Sequence, residues 1–195
     1  QYAADCLHLA WGDKFADALV AHGVKKELVF KTGSIRNDEA VNNTKPVVNL
    51  NNFNKKVLIP TAFSKTFVSK VYIDKLTALA VIDKDVYLNK LEVTKQVRDF
   101  FFTDIYTLAT RCPSILFSFR PHPYVELIDY ISVFLEVNKI KKLPDNIRVE
   151  RNGSIQEEIA SSDKVITWYS STAIDAYLLK KDVIIYEPIS TPEYM

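Results

Sequence analysis

An α/β domain built on a parallel sheet is what this sequence predicts, on three observations. Short apolar runs suited to buried strands begin at residues 57, 115, 147, 165 and 183. The stretches between them mostly carry apolar residues at helical spacing, so strand and helix alternate. The clearest unit is DKVITWYSSTAIDAYLLKKDVIIYEPI, Asp163 to Ile189. There Lys164 to Trp168 reads as a strand, Ser170-Ser171-Thr172 as a polar turn, and Ala173 to Leu179 as a helix with Ile174 and Leu178 on one face. Lys180-Lys181 ends that helix, and Val183 to Tyr186 forms the next strand. The expected fold is therefore a Rossmann-like parallel sheet flanked by helices.

Composition narrows the class. At 195 residues with 48% hydrophobic content, the chain can bury one sizeable core and a smaller appendage. A formal net charge of +1 gives no electrostatic reason to expect nucleic acid as a partner. No apolar run approaches the roughly 18 residues of a membrane span, and no signal-peptide pattern opens the sequence. Cys6 and Cys112 make no metal-ligand spacing and read as thiols of a reducing compartment; no metal and no cofactor is expected. The chain starts with Gln and its one Met is the last residue, which points to a fragment of a longer polypeptide.

In chain order, Asp13 to His22 places Phe15, Ala18 and Leu19 on one helix face, and Gly23 stops it. Glu27 to Phe30 is a brief apolar run ending in TGSIRND, Thr32 to Asp38. Glu39 to Asn54 is Asn-rich, carries Pro46 and has little periodicity. The expected organisation is a remnant or docking edge of another domain at 1–40, a linker at 41–55 and a Rossmann-like domain at 56–195.

Val57 to Ile59 is the first buried strand, followed by the polar group Thr61, Ser64, Lys65 and Thr66. Val71-Tyr72-Ile73 and Val86-Tyr87-Leu88 suit either strand or helix. Glu92 to Thr110 is helical, with Val97, Phe101, Ile105 and Leu108 on one face and Pro113 beyond its end. Ser114 to Phe119 is a strand, and Tyr124 to Val137 is a helix with Pro123 in its first turn. Its inward positions are Leu127 or Ile128, Ile131, Phe134 or Leu135, and Val137. Ile147 to Val149 is a strand, and Ser154-Ile155-Gln156-Glu157 is a capping box opening a short helix to about Ser161.

Two segments carry chemistry. In Arg120-Pro121-His122-Pro123, prolines restrict the backbone around a histidine directly after a strand. Such a histidine donates to a phosphate or protonates a leaving group, and Arg120 adds a charge-assisted bond. Ser170, Ser171 and Thr172 are placed to bond a phosphate at a strand-to-helix turn. The structural alternatives are that His122 caps the following helix, that Arg120 is a surface residue, and that Ser171 or Thr172 caps its helix with Asp175 completing a Thr-x-x-Asp box. Glu187 is suited either to ribose hydroxyls or to solvent. Arg36 and Asp38 either pair with each other or line an interdomain cleft. With 4 Gly and no Walker or Gly-x-Gly-x-x-Gly pattern, a glycine-built phosphate cradle is excluded.

The segments RPHP at 120–123 and DKVITWYSSTAIDAYLLKKDVIIYEP at 163–188 resemble the His-Pro and Ser-Ser/Thr motifs of bacterial sialyltransferases and polysialyltransferases. These belong to the GT-B-fold glycosyltransferases of surface and capsular polysaccharides. TGSIRND is similar to the segment joining the two domains in related surface-polymer transferases. The resemblance spans about residues 25–190 and implies the carboxyl-terminal half of a GT-B fold. It implies a cytidine-based nucleotide-activated sugar as donor and a carbohydrate acceptor. It also implies donor contacts at His122, Ser170, Ser171 and Thr172, with His122 as the catalytic residue; Arg120 and Glu187 join the candidate donor site on their positions directly after strands. The catalytic base would lie in the other domain, so the isolated fragment is expected to be inactive. The implied location is cytoplasmic, at the inner face of the membrane if the full-length enzyme attaches peripherally. The other readings are a polyol-phosphate transferase using a CDP donor, a nucleotide-sugar epimerase, and a noncatalytic binding or assembly domain.

Overall fold

The computed structural model describes residues 5–34, 38, 52–79 and 83–190. The chain divides into two compact units, Gln1–Thr44 and Lys45–Met195. Most of the expected linker at 41–55 lies outside the described residues.

In the first unit, β1 (His8–Ala10) pairs in parallel with β2 (Val29–Lys31), and α1 (Asp13–Ala21) connects them. Ala10, Leu19 and Val24 form its small core. Leu19 is buried as its helical spacing predicts, whereas Phe15 faces solvent and packs beside Trp11 at a centroid distance of 6.4 Å. The run at Glu27 begins as a 3-10 turn, Lys26–Leu28, before β2.

The second unit is an α/β domain with a five-stranded, wholly parallel sheet. Its strands are β3 (Lys55–Pro60), β4 (Ile115–Arg120), β5 (Ile147–Val149), β6 (Lys164–Thr167) and β7 (Asp182–Ile185), in the order β5-β4-β3-β6-β7. All five strands expected from the apolar runs are present. Between β3 and β4 lie α2 (Lys70–Ala78) and α3 (Lys84–Arg111); α4 (Leu127–Asn138), α5 (Ile155–Ala160) and α6 (Thr172–Leu178) make the later crossovers. The order reverses at β3, where one series of strands runs toward β5 and the other toward β7, and loops at such a reversal diverge to leave a crevice at the carboxyl ends.

Strand alternation sorts the core into two layers. Val57, Ile59, Phe117, Phe119 and Ile166 point to one face, against Val97, Phe101, Phe102, Ile105 and Ala109 of α3 and Tyr130 and Phe134 of α4. Leu58 and Val165 point to the other, against Ile159 of α5 and Ala176 of α6. Phe102 is the aromatic hub of the first layer, touching Phe63, Phe119, Tyr130 and Phe134 at centroid distances of 5.0–6.0 Å. At the amino edge, Lys56 and Asp163 exchange backbone and side-chain hydrogen bonds that fix the start of β6 beside β3.

The two ambiguous apolar runs are helical. Ser69 caps α2 by accepting from Tyr72 N–H, and Asp83 caps α3 by accepting from Val86 N–H at 3.0 Å. Leu108 lies outside the α3 core face, with Ala109 buried in its place. In α4 the buried residues are Tyr130 and Phe134, and Ile128 faces solvent. Pro123 lies before α4 rather than in its first turn. Val125 N–H turns back to the His122 carbonyl, and Arg151 takes the His122 and Pro123 carbonyls, which leaves them unavailable to a helix. Among the described residues no helix is long and apolar enough to cross a membrane.

Replacing Phe102 by Ala empties the hub of the first layer. A loss of about 3–5 kcal/mol is expected in urea unfolding; a loss below about 1 kcal/mol would show that the layer is not packed as described.

Candidate functional site

The crevice brings three loops to one edge of the sheet. β3 runs out into Thr61, which pairs with Trp168 beyond β6 and donates its N–H to the Arg120 carbonyl at the end of β4 (3.2 Å). The loops carrying His122 and Ser170-Ser171-Thr172 therefore flank β3 on its two sides, and Glu187 follows β7 at the same edge. Thr167 Oγ1 donates to the Pro60 carbonyl at 2.7 Å and Phe63 stacks on Trp168 at 5.4 Å, so β3 and β6 are locked together beneath the crevice.

His122 is half-buried. Its Nδ1 accepts from Tyr124 N–H at 3.3 Å, which leaves the proton of the neutral ring on Nε2, available as a donor. The loop is rigid for reasons beyond its prolines: Pro121 and Val125 are buried, and Arg151 Nη1 donates to the Pro123 carbonyl at 2.8 Å. The exposed Tyr124 ring lies 4.9 Å from the imidazole. Its position immediately after the RPHP segment was the available sequence signal for a further site residue.

On the other side, Tyr169 adopts a left-handed backbone with φ of +48°, a conformation that costs a non-glycine residue about 1 kcal/mol. The Ser170 and Thr172 hydroxyls hydrogen-bond each other, and Thr172 N–H donates to Ser170 Oγ at 3.3 Å. Ser171 occupies the N-cap of α6 without a side-chain capping bond, and the residue is exposed. Thr172 is the first residue of the helix, so the Thr-x-x-Asp capping box does not form; Asp175 is buried. The amides of Ala173 and Ile174 donate to the Ser170 and Ser171 carbonyls. Hydroxyls, rather than helix amides, are thus what this turn offers an anion. A recess of about 350 Å³ beside it is lined by Thr167, Tyr169, Ser170, Ser171, Ala173 and Ile185.

Arg120 departs from its expected role. Residues 118 and 120 alternate to the α5 side of the sheet, where the Arg120 guanidinium meets Glu158 at 2.6 Å and donates to the Gly153 carbonyl at 3.0 Å. Glu158 is buried and Arg120 partly so, and burial raises the Glu158 pKa above the ordinary carboxylate value against the lowering effects of Asn152 N–H and Arg120. This pair ties β4 to the loop before α5. Arg36 lies outside the described residues; Asp38 is exposed in the first unit, its N–H donating to the Ser34 carbonyl at 3.2 Å.

At the sheet margin, Tyr186 donates its hydroxyl to Asp104, and this bond, with burial, raises its pKa to about 12. No family model and no curated protein sequence matches the chain.

Two outcomes follow. Arg120→Ala leaves a buried carboxylate unpaired and is expected to cost about 3–5 kcal/mol in chemical denaturation, with part of the loss recovered in the Arg120→Ala/Glu158→Ala double variant; full stability in the single variant would return Arg120 to the crevice. The raised Tyr186 pKa means that the folded state holds this proton more tightly than the unfolded chain does. That stability is fully present below about pH 10 and is lost as pH rises toward about 12. Denaturation at pH 9 and 11.5 should show a steeper loss in the wild type than in Tyr186→Phe; equal slopes would contradict the Asp104 bond.

Proposed function

We propose that Lys45–Met195 is the donor-binding domain of a GT-B-type glycosyltransferase that takes a nucleotide-activated sugar, specifically a CMP-sugar, for surface-polysaccharide synthesis. One observation supports this most: loops bearing a fixed imidazole and a serine-threonine turn flank the same central strand at its carboxyl end.

In this reading an acceptor hydroxyl attacks the anomeric carbon while the bond from that carbon to the phosphate oxygen breaks. Negative charge collects on the departing phosphate. His122 Nε2–H donates to it from one side, its ring oriented in advance by Tyr124 N–H, and the Ser171 hydroxyl, which makes no capping bond, donates from the other. Ser170 and Thr172, already joined, orient the turn. Glu187 accepts from ribose hydroxyls at the β7 end. The base that takes the acceptor proton comes from outside this unit, and closure over the crevice excludes the water that would hydrolyse the donor.

Calorimetric titration with CMP, CDP, UMP and UDP tests the reading. Saturable CMP binding is expected, weakened about tenfold by His122→Ala and by Ser171→Ala. Preference for CDP over CMP would transfer the site to polyol-phosphate transfer, where the acceptor attacks phosphorus. A folded protein that binds none of the four nucleotides would overturn it.

A further inference from the structure

Beside the His122 loop the carboxyl edge opens into a second space. A cleft of about 510 Å³ is lined by Ser64, Lys65, Phe67, Val68, Ser69, Tyr72 and Tyr124. It lies between the loop after β3, with the start of α2, and the residue whose amide fixes the imidazole. Its size falls within the roughly 300–1,000 Å³ range of small-molecule sites.

The lining has a definite chemistry. Tyr124 is 89% exposed and Tyr72 51%, and both line the cleft. Large exposed aromatics of this kind offer a ligand both an apolar face and a hydroxyl. Phe67 is different: it is held from behind by stacking on buried Tyr130 at 5.7 Å and by the Arg98 guanidinium at 5.7 Å. That bracing makes it a firm apolar wall. Ser64 contributes a hydroxyl, and Lys65 is exposed and joins none of the ion pairs found among the described residues. No carboxylate lines the cleft.

Aromatic walls combined with scattered hydroxyl and ammonium donors match a ring with one face of C–H groups and an equator of hydroxyls. We infer that this cleft is a carbohydrate-ring subsite of the donor, with Tyr124 and Tyr72 stacking on the ring and Lys65 and Ser64 bonding its oxygens. The inference rests on the donor-binding reading and deepens it. A phosphate held by His122 would lie close to the cleft, because the His122 ring is 4.9 Å from that of the lining residue Tyr124. The ring next to that phosphate, either the ribose or the transferred sugar, is the group that enters.

The test uses Tyr124→Ala, Tyr72→Ala and Lys65→Ala, all at exposed positions. Each protein is titrated calorimetrically with CMP and with CMP-N-acetylneuraminate, and free N-acetylneuraminate is followed by saturation-transfer NMR. Tyr124→Ala and Tyr72→Ala should each weaken CMP-N-acetylneuraminate about tenfold at an unchanged melting temperature. An equal loss for CMP identifies the ring as ribose and removes the ribose contact assigned to Glu187, and retention of CMP affinity identifies it as the transferred sugar. An effect confined to Tyr124→Ala reflects its contact with His122 and overturns the subsite, as does equal binding by all four proteins. If the wild type binds neither nucleotide yet shows saturation transfer that the variants lose, the donor reading fails and the subsite stands. Loss of transfer in the wild type as well removes both.

Discussion

The double pairing of β3 is the constraint on which the rest of the second unit depends. Its Leu58 and Ile59 are fully buried on opposite faces, and β4 and β6 bond its two edges in register. A strand buried on four sides cannot slip by one residue without exchanging its two apolar faces. The positions at which its neighbours end are thereby fixed as well. Because the chain leaves β4 and β6 on opposite sides of β3, their loops part at the carboxyl edge. The crevice is a consequence of topology, and its chemistry comes from which residues stand at those two strand ends.

The same packing accounts for the polar exceptions. Thr167 is buried yet bonded to Pro60, so its hydroxyl serves the strand pair. Arg120 and Glu158 neutralise each other on the α5 face, where Ser118 and Glu150 make a second polar link. These contacts hold the ends of β4 and β5 without apolar filling. The strained Tyr169 has the opposite character: its left-handed backbone turns the chain sharply between the buried Trp168 and the hydroxyls of the following turn. A conformation that costs stability persists there because Trp168 is fixed by Thr61 and Phe63 on either side.

Much of this was legible in the sequence. The five strands were, because each is a short apolar run followed by punctuation, such as Pro60 or the Arg120-Pro121 pair. The capping box at Ser154 was also readable, since both of its bonds are local. Strand order was not, because it depends on which faces bury together, and no single run states that. The runs at Val71 and Val86 stayed ambiguous in the sequence; the structure makes them helical, with Ser69 and Asp83 as the N-caps. For the site, the sequence placed His122 and Ser170 to Thr172 at strand ends, and the sheet brings those ends to one edge. It did not show that Arg120 pairs with Glu158, which lies across a turn and a capping box and is visible only once β4 and α5 are packed.

Amide-resolved NMR during addition of CMP addresses the crevice most directly, because every loop involved carries backbone reporters. Shift changes confined to the carboxyl-edge loops, residues 61–72, 121–125, 169–173 and 185–187, are what CMP with its phosphate held between β4 and β6 requires. Changes centred instead on the opposite edge, around Lys56 and Asp163, or none at saturating CMP, would contradict the assignment of this edge as the donor site.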